Sequence, residues 1–301
     1  MGLRWFLAML RGAIIIGKAL MGLNFSNLAD VAERVCVVKV FGERNCGTRA
    51  VIRMLRAFDG VSTRIPKPED MRFQRFRETV NTSFEGLTRE LYEDALIDAR
   101  YAGLPAAYAW KHAAPMVDES YAAHGAHVLF SVRDPYSWIA SFFRNPHHAR
   151  APLPHMLEAF LQQPWLTMRR DNIAPVLASP MHLWNEKLRA YRSFSKVAPV
   201  ASSTLRFEDF VLDPVKALAC QLAEFNVNSK GLREVENATK LDGRARRARL
   251  SYYKRKAWEA DITPEAAALI NQFVDWDVAE EFGYFRRDPN EFLGGLQRKI
   301  I

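Results

Sequence analysis

The chain has 301 residues, 49% hydrophobic and 25% charged, enough to bury a full core as one large domain or two small ones. A formal net charge of +8 suits an anionic ligand or partner, but no basic block interleaved with aromatics marks a nucleic-acid-binding protein. Three scattered cysteines, Cys36, Cys46 and Cys220, argue against a disulfide framework and fit a reducing compartment.

The first 23 residues are apolar but interrupted by Arg4, Arg11 and Lys18, a poor pattern for a transmembrane span or a secretory signal. Two readings remain: a helix lying on a membrane surface, or a helix packed on the domain. Val35, Val37, Val38, Val40 and Phe41 read as a buried strand. A tight loop, Gly42-Glu43-Arg44-Asn45-Cys46-Gly47, follows, and Thr48 opens a helix with Val51, Ile52, Leu55 and Phe58 on its apolar face. Pro66 and Pro68 break the loop from Gly60 to Asp70, and Arg72 to Arg77 carries no assignable pattern. Thr88 to Arg100 reads as a helix with Thr88 as candidate cap. Pro105 to Trp110 reads as a short strand ending at Lys111-His112, and Pro115 to Ala123 as a helix.

Val128 to Val132 is a second apolar strand, and Pro135 at N1 starts a helix carrying Ser137, Ser141 and Phe142. His147 to Leu166 is helical in part. Met181 to Phe194 reads as a long helix with Trp184, Leu188 and Tyr191 on one face. A third strand, Pro199 to Arg206, precedes Phe207-Glu208-Asp209-Phe210 and a helix from Pro214 to Phe225. Lys230 to Arg255 is loop-rich and basic. Pro264 to Phe282 reads as the last helix, capped by Thr263 and stopped at Gly283. Strands alternating with helices imply an α/β fold, a central mostly parallel sheet flanked by helices. With no repeat and no long linker, the expected organisation is an N-terminal helix in 1–30, one domain over 31–290 and a tail over 291–301.

Strand, glycine-bounded loop and helix N-terminus make a P-loop-like phosphate site. First-turn N–H groups point into the loop, and the helix dipole favours negative charge there. The nucleotide triphosphatase motif G-x-x-x-x-G-K-[ST] is nearly met, but Thr48-Arg49 follow Gly47, so the lysine and the magnesium-binding hydroxyl are out of register. The loop therefore looks built for a phosphate without a metal-bound γ-phosphate; a plain structural turn is the alternative. Arg133 stands at a strand end and Ser141 eight residues later on the next helix. The two can grip one anion only if the strand-to-helix bend folds Arg133 back. Trp110-Lys111-His112 lies about twenty residues before Arg133.

These three motifs, in this order and spacing, resemble the sulfotransferases that use 3′-phosphoadenosine 5′-phosphosulfate, over about residues 34 to 285. The run Gly47-Thr48-Arg49-Ala50 is similar to carbohydrate sulfotransferases, whereas FGERNCGT and WKH look more like bacterial members. The resemblance implies that Arg44, Asn45, Cys46, Gly47, Thr48 and Arg49 bind the 5′-phosphosulfate and that Arg133 and Ser141 bind the 3′-phosphate. It also implies that Phe207 stacks near the adenine, where relatives often have tyrosine. No metal is implied. The family usually has lysine at the position of Asn45 to offset charge on the departing oxygen. Arg44, Arg49 or Lys111 is then the expected substitute, with Arg44 favoured by position. His112 is the expected general base, since imidazole titrates near neutral pH, and Glu43 is the runner-up.

The expected function is sulfuryl transfer to a hydroxyl-bearing acceptor of unknown identity, saccharide and lipid headgroup included. No nucleic-acid partner is expected. The expected location is cytoplasmic, with contact at the inner membrane face through residues 1–23 under the first reading of that segment. Alternatives are an ATP-dependent small-molecule kinase on a similar core and a nucleotide-binding module without chemistry. The other histidines (124, 127, 147, 148, 155 and 182) form no credible metal set. Cys46 at a cationic helix start is a weaker candidate nucleophile. The basic run from Arg244 to Lys256 is either a solvated face or a nucleotide or acceptor contact.

Overall fold

The computed structural model describes residues 35–63, 65, 78–79, 82–83, 85–235 and 243–292. The expected N-terminal helix, the segment 66–77 and the tail from 293 onward lie outside the described residues, as do the side chains of Arg244, Arg246, Arg247 and Arg249.

Strand β1 (Cys36–Gly42) leads through helix α1 (Thr48–Arg56) to the two-residue strand β2 (Val61–Ser62). Helix α2 (Gly86–Tyr101), a 3₁₀ turn at Ala106–Tyr108 and the short helix α3 (Ser120–Ala123) precede β3 (Ala126–Val132). Then come α4 (Pro135–Arg144), α5 (Leu157–Gln162), a small antiparallel pair β4 (Trp165–Leu166) and β5 (Val176–Leu177), and the long α6 (Pro180–Val197). Strand β6 (Ser202–Arg206), α7 (Phe207–Leu212), α8 (Pro214–Ala223), α9 (Gly243–Lys254), α10 (Pro264–Phe273) and α11 (Trp276–Glu281) follow.

The main sheet has the order β2-β1-β3-β6, and every neighbouring pair is parallel. Alternation along the strands sorts the core into two layers. Val38, Val40, Leu129 and Leu205 pack against Val51, Met54 and Leu55 of α1 and Leu218 and Leu222 of α8. Phe41, Val128, Phe130 and Val132 face Trp138 and Phe142 of α4 and Trp184, Leu188 and Tyr191 of α6. Each such fully buried side chain contributes about 1.5–3 kcal/mol of apolar burial. Both faces of the sheet are thus covered, as a parallel sheet requires.

The order places β2 on one side of β1 and β3 on the other, so the chain changes direction beside β1. In open α/β sheets such a switch leaves a crevice outside the strand C-termini. Gly42 pairs with Ser131, and Val132 with Arg206. The loop after β1, the Arg133 turn after β3 and Phe207 after β6 therefore emerge at one level.

Four expected elements differ. Pro105 to Trp110 is no strand: Pro105 lacks a ladder donor, and the amides of Ala106 and Ala107 are taken by Asp118 and by Ser120 Oγ at 2.7 and 2.9 Å. Only Ser120–Ala123 of the helix expected from Pro115 forms. The segment expected to be loop contains α9. The last expected helix breaks at Val274–Asp275, where Asn185 Nδ2 donates to the Phe273 carbonyl at 2.7 Å and the Asp275 amide donates to Asn185 Oδ1 at 3.1 Å. Asp275 then caps α11. Thr88 lies inside the first turn of α2, whose N-cap is Glu85. Among the described residues no helix is long and apolar enough to cross a membrane.

Candidate functional site

Two backbone reversals shape the loop after β1. Asn45 and Gly47 both hold positive φ, 65° and 78°. Gly47 is the N-cap of α1, and a Cβ there would lie 2.9 Å from the Phe207 ring. At Gly42 a Cβ would approach the Ser131 carbonyl oxygen to 2.7 Å, so close strand contact requires glycine. No side chain caps α1. Among the described residues, the amides of Gly47, Thr48 and Arg49 find no protein acceptor, since the first helical bonds begin with Ala50 and Val51 to the Gly47 carbonyl.

Of these three residues Gly47 lines a cavity of about 240 Å³, whose walls also include Asn45, Arg133, Ser141, Phe207 and Tyr253; Thr48 and Arg49 do not line it. The β3–α4 bend folds Arg133 back over the first turn of α4: its Nε donates to Ser137 Oγ at 2.9 Å, and Ser137 and Ser141 share a helix face. Its Nη1 donates to the Asn45 carbonyl at 2.7 Å, and the guanidinium lies over the Phe207 ring, 4.4 Å from its centroid. Tyr253 of α9 closes the other side, edge-on to Phe207 at 5.1 Å. Arg133 is 1% exposed yet forms no ion pair among the described residues. A buried cation without a carboxylate is costly unless an anion is brought to it.

Arg44 does not join this cavity. Its guanidinium turns inward, 2% exposed, donating to Glu43 Oε1 at 2.8 Å and forking onto both oxygens of Asp171 at 3.0 Å. Lys187 of α6 completes a buried quartet, 3.3 Å from Asp171 Oδ1 and 3.9 Å from Glu43 Oε2. Burial alone would lower the Arg44 pKa, but Glu43 and Asp171 outweigh it and raise it above its ordinary value. Burial likewise works against the Asp171 carboxylate, yet Lys187 and Arg44 hold it well below the usual carboxylate range. The expectation that Arg44 supplies the departing-group charge is therefore corrected: two carboxylates already neutralise it, away from the cavity. Glu43, the runner-up base, is bound into the same quartet.

Asp171 also fixes the His112 segment. Its carbonyl accepts from the Ala114 amide at 2.8 Å and from Lys187 Nζ at 2.9 Å, and Asn172 Nδ2 donates to the Ala114 carbonyl at 3.0 Å. His112 therefore does not sit at a strand end; it rides on a loop bonded to β1 through the Gly42 amide and the Lys111 carbonyl at 3.0 Å. His112 Nδ1 donates to the Gly42 carbonyl, which can only accept, so Nδ1 carries the proton and Nε2 is left as the basic atom. Burial, then Arg44 and Lys111, push the His112 pKa well below 6.5. Burial, then Arg49 and Arg56, lower that of Lys111. Neither Lys111 nor His112 lines the cavity; both meet the loop at Gly42.

Cys46 is buried, and burial raises its thiol pKa well above the ordinary value, the opposite of an activated nucleophile. Its carbonyl accepts from Ser131 Oγ at 2.6 Å, tying the loop to β3. Thr48 is buried and Arg49 exposed. Among the remaining histidines, His124 bonds Tyr108 and His127 stacks on Phe225.

Removing one member of the quartet strands a buried charge. Asp171→Asn is expected to cost about 3–5 kcal/mol. Denaturant unfolding measures this, and an unchanged midpoint would remove the quartet from the account of loop stability.

Sequence reasoning missed Asp171, Lys187 and Tyr253. Lys187 did leave a signal: it stands at helical spacing among Trp184, Leu188 and Tyr191, a charge inside an apolar stripe. Tyr253 sits in a basic run without periodicity, and nothing marked it.

No family model and no curated protein matches the chain. Among solved structures, a sulfotransferase domain from the curacin biosynthetic pathway aligns over 84% of this chain and 98% of that one, at 13% identity and a TM-score of 0.37. Values this low carry no argument about activity.

Proposed function

We propose that the protein transfers the sulfuryl group of 3′-phosphoadenosine 5′-phosphosulfate to a hydroxyl acceptor. The observation that carries this reading is the buried Arg133, which forms no ion pair among the described residues, lining the same cavity as Gly47 at the uncapped start of α1. One cation and one set of free amides suit a ligand with two separate anionic groups. The 5′-phosphosulfate rests on the amides of Gly47, Thr48 and Arg49. The 3′-phosphate takes Arg133 and Ser141, and Phe207 with Tyr253 offers aromatic surface to the base. The sequence resemblance independently pairs these same positions.

Transfer is an in-line displacement: the acceptor oxygen bonds to sulfur while the sulfur–oxygen bond to the 5′-phosphate breaks, leaving adenosine 3′,5′-bisphosphate. The hydroxyl proton passes to His112 Nε2. Lys111, beside His112, takes the charge-offsetting role that Arg44 cannot. The inward turn of Arg44 favours binding without chemistry as the second reading, which turnover separates.

The direct test is binding. Adenosine 3′,5′-bisphosphate is expected to bind at least about tenfold tighter than adenosine 5′-monophosphate, and Ser141→Ala to erase about tenfold of that preference. Equal affinity for the two nucleotides in titration calorimetry would end the proposal.

A further inference from the structure

The indole of Trp110, which the transfer reading does not use, joins two charged networks to the proposed base. The Trp110 carbonyl accepts from the Ala113 amide at 2.9 Å, and this turn brings the His112 ring back against the indole, centroids 4.9 Å apart and planes at 89°. His148, held at a positive φ of 67°, meets the same indole at 5.4 Å and 81°. Two guanidiniums lie over it, Arg170 at 4.5 Å and Arg44 at 4.8 Å from its centroid. Both are buried and anchored: Arg44 forks onto Asp171, and Arg170 donates to Asp98 Oδ1 at 2.8 Å and to Asp94 Oδ1 at 2.6 Å. Asp94 also lies 3.5 Å from His148 Nδ1. The cations around the indole are therefore fixed by carboxylates, and the indole is fixed by the cations. Among the described residues, the His112 ring makes one hydrogen bond, from Nδ1 to the Gly42 carbonyl. One such bond anchors an atom and leaves the ring free to swing about it; a perpendicular flat neighbour removes that freedom. Trp110 is half-buried and does not line the nucleotide cavity.

We infer that Trp110 is the positioning residue of the proposed base: its indole, gripped by Arg44 and Arg170, sets the plane of the His112 ring and shields it from water. Through Arg44 the indole touches the phosphate loop, and through Arg170 the turn that carries Asp171, so the base is held in register with both. An aliphatic side chain of similar bulk has no rigid face to offer, so the role calls for an aromatic ring. The inference rests on the transfer reading above for the word base, but its claim about the His112 ring is separable.

The test is imidazole NMR on the full chain with isotope-labelled histidine, in wild type, Trp110→Leu and Trp110→Phe. Wild type is expected to hold His112 in one tautomer, protonated at Nδ1, with a titration midpoint well below 6.5. In Trp110→Leu the ring should exchange between tautomers, and its midpoint should rise by about half a pH unit or more as water reaches it. Trp110→Phe keeps a flat ring and should retain the single tautomer. Adenosine 3′,5′-bisphosphate should bind the two variants within about threefold of wild type. A His112 signal unchanged in Trp110→Leu, or the same disturbance in Trp110→Phe, would overturn the inference. So would a nucleotide affinity that collapses in Trp110→Leu, which makes the indole a general support of the loop. A second measurement leaves Trp110 in place and serves where Trp110→Leu does not fold. With fluorotryptophan at all seven tryptophans, the Trp110 resonance, assigned through Trp110→Phe, should move more than any other in His112→Asn. An unmoved Trp110 resonance would also overturn the inference. Should the nucleotide fail to bind wild type while the His112 signals behave as described, the donor reading falls and the role of Trp110 toward His112 stands.

Discussion

Arg133→Met is expected to lose nucleotide binding by about 10²-fold or more while keeping its fold. Arg133 would supply at least two charge-assisted contacts to the 3′-phosphate, each worth about 1.5–3 kcal/mol, and 1.4 kcal/mol is tenfold in affinity. The same substitution removes a buried guanidinium that pairs with no carboxylate among the described residues, and methionine fills much of its volume. What is lost in the free protein is the donation to the Asn45 carbonyl, to Ser137 Oγ and, at 3.4 Å, to the Tyr253 hydroxyl. Ser137 Oγ still has the Asp134 carbonyl as partner. Stability should therefore stay within about 2 kcal/mol of wild type. Asp171→Asn should show a large loss of stability at a site that touches no ligand. Titration with adenosine 3′,5′-bisphosphate and denaturant unfolding together give both numbers. An Arg133→Met protein that binds normally, or that unfolds as readily as Asp171→Asn, contradicts the assignment.

His112→Asn is expected to lower kcat by about 10²–10⁴-fold with nucleotide affinity unchanged. Asparagine can still donate to the Gly42 carbonyl, so the loop keeps its bond while the basic Nε2 disappears. The pH dependence follows from the same surroundings. The folded pKa of His112 is depressed well below 6.5, so the ring stays neutral and basic at and below that pH. The acid limb of kcat should accordingly fall well below pH 6.5 rather than at it. Stability has a matching sign: the unfolded histidine takes up a proton as pH drops through 6.5 and the folded one resists, so His112 destabilises the protein progressively as pH falls from there. His112→Asn should flatten that part of the stability profile. Turnover equal to wild type, or an acid limb centred at 6.5, removes His112 as the base.

Local rules made the strand-loop-helix after β1 legible: a β-branched run, two glycines at fixed spacing, and an amphipathic helix starting at Thr48. The same holds for Arg133-Asp134-Pro135, where proline at N1 and an acidic N-cap announce α4. Asp134 caps it through the Ser137 amide at 2.8 Å. Arg44 was misread because its partner Asp171 is 127 residues away in sequence, and no local pattern reports such a pairing. Pro105 to Trp110 resembled a strand because alanine and aromatic residues fit either state; the deciding bonds come from Asp118 and Ser120, across a turn. Tyr253 and Leu250 reached the cavity only because α9 folds over it, in a stretch whose charge hid its helical spacing.

Asp171 seats two separate machines, holding the phosphate loop by its carboxylate and the histidine segment by its carbonyl. Slack introduced at this one residue would propagate to donor grip and proton removal together. Variants drifting here should trade both properties along a single line, so a lineage can retune one without the other only through residues on the rim.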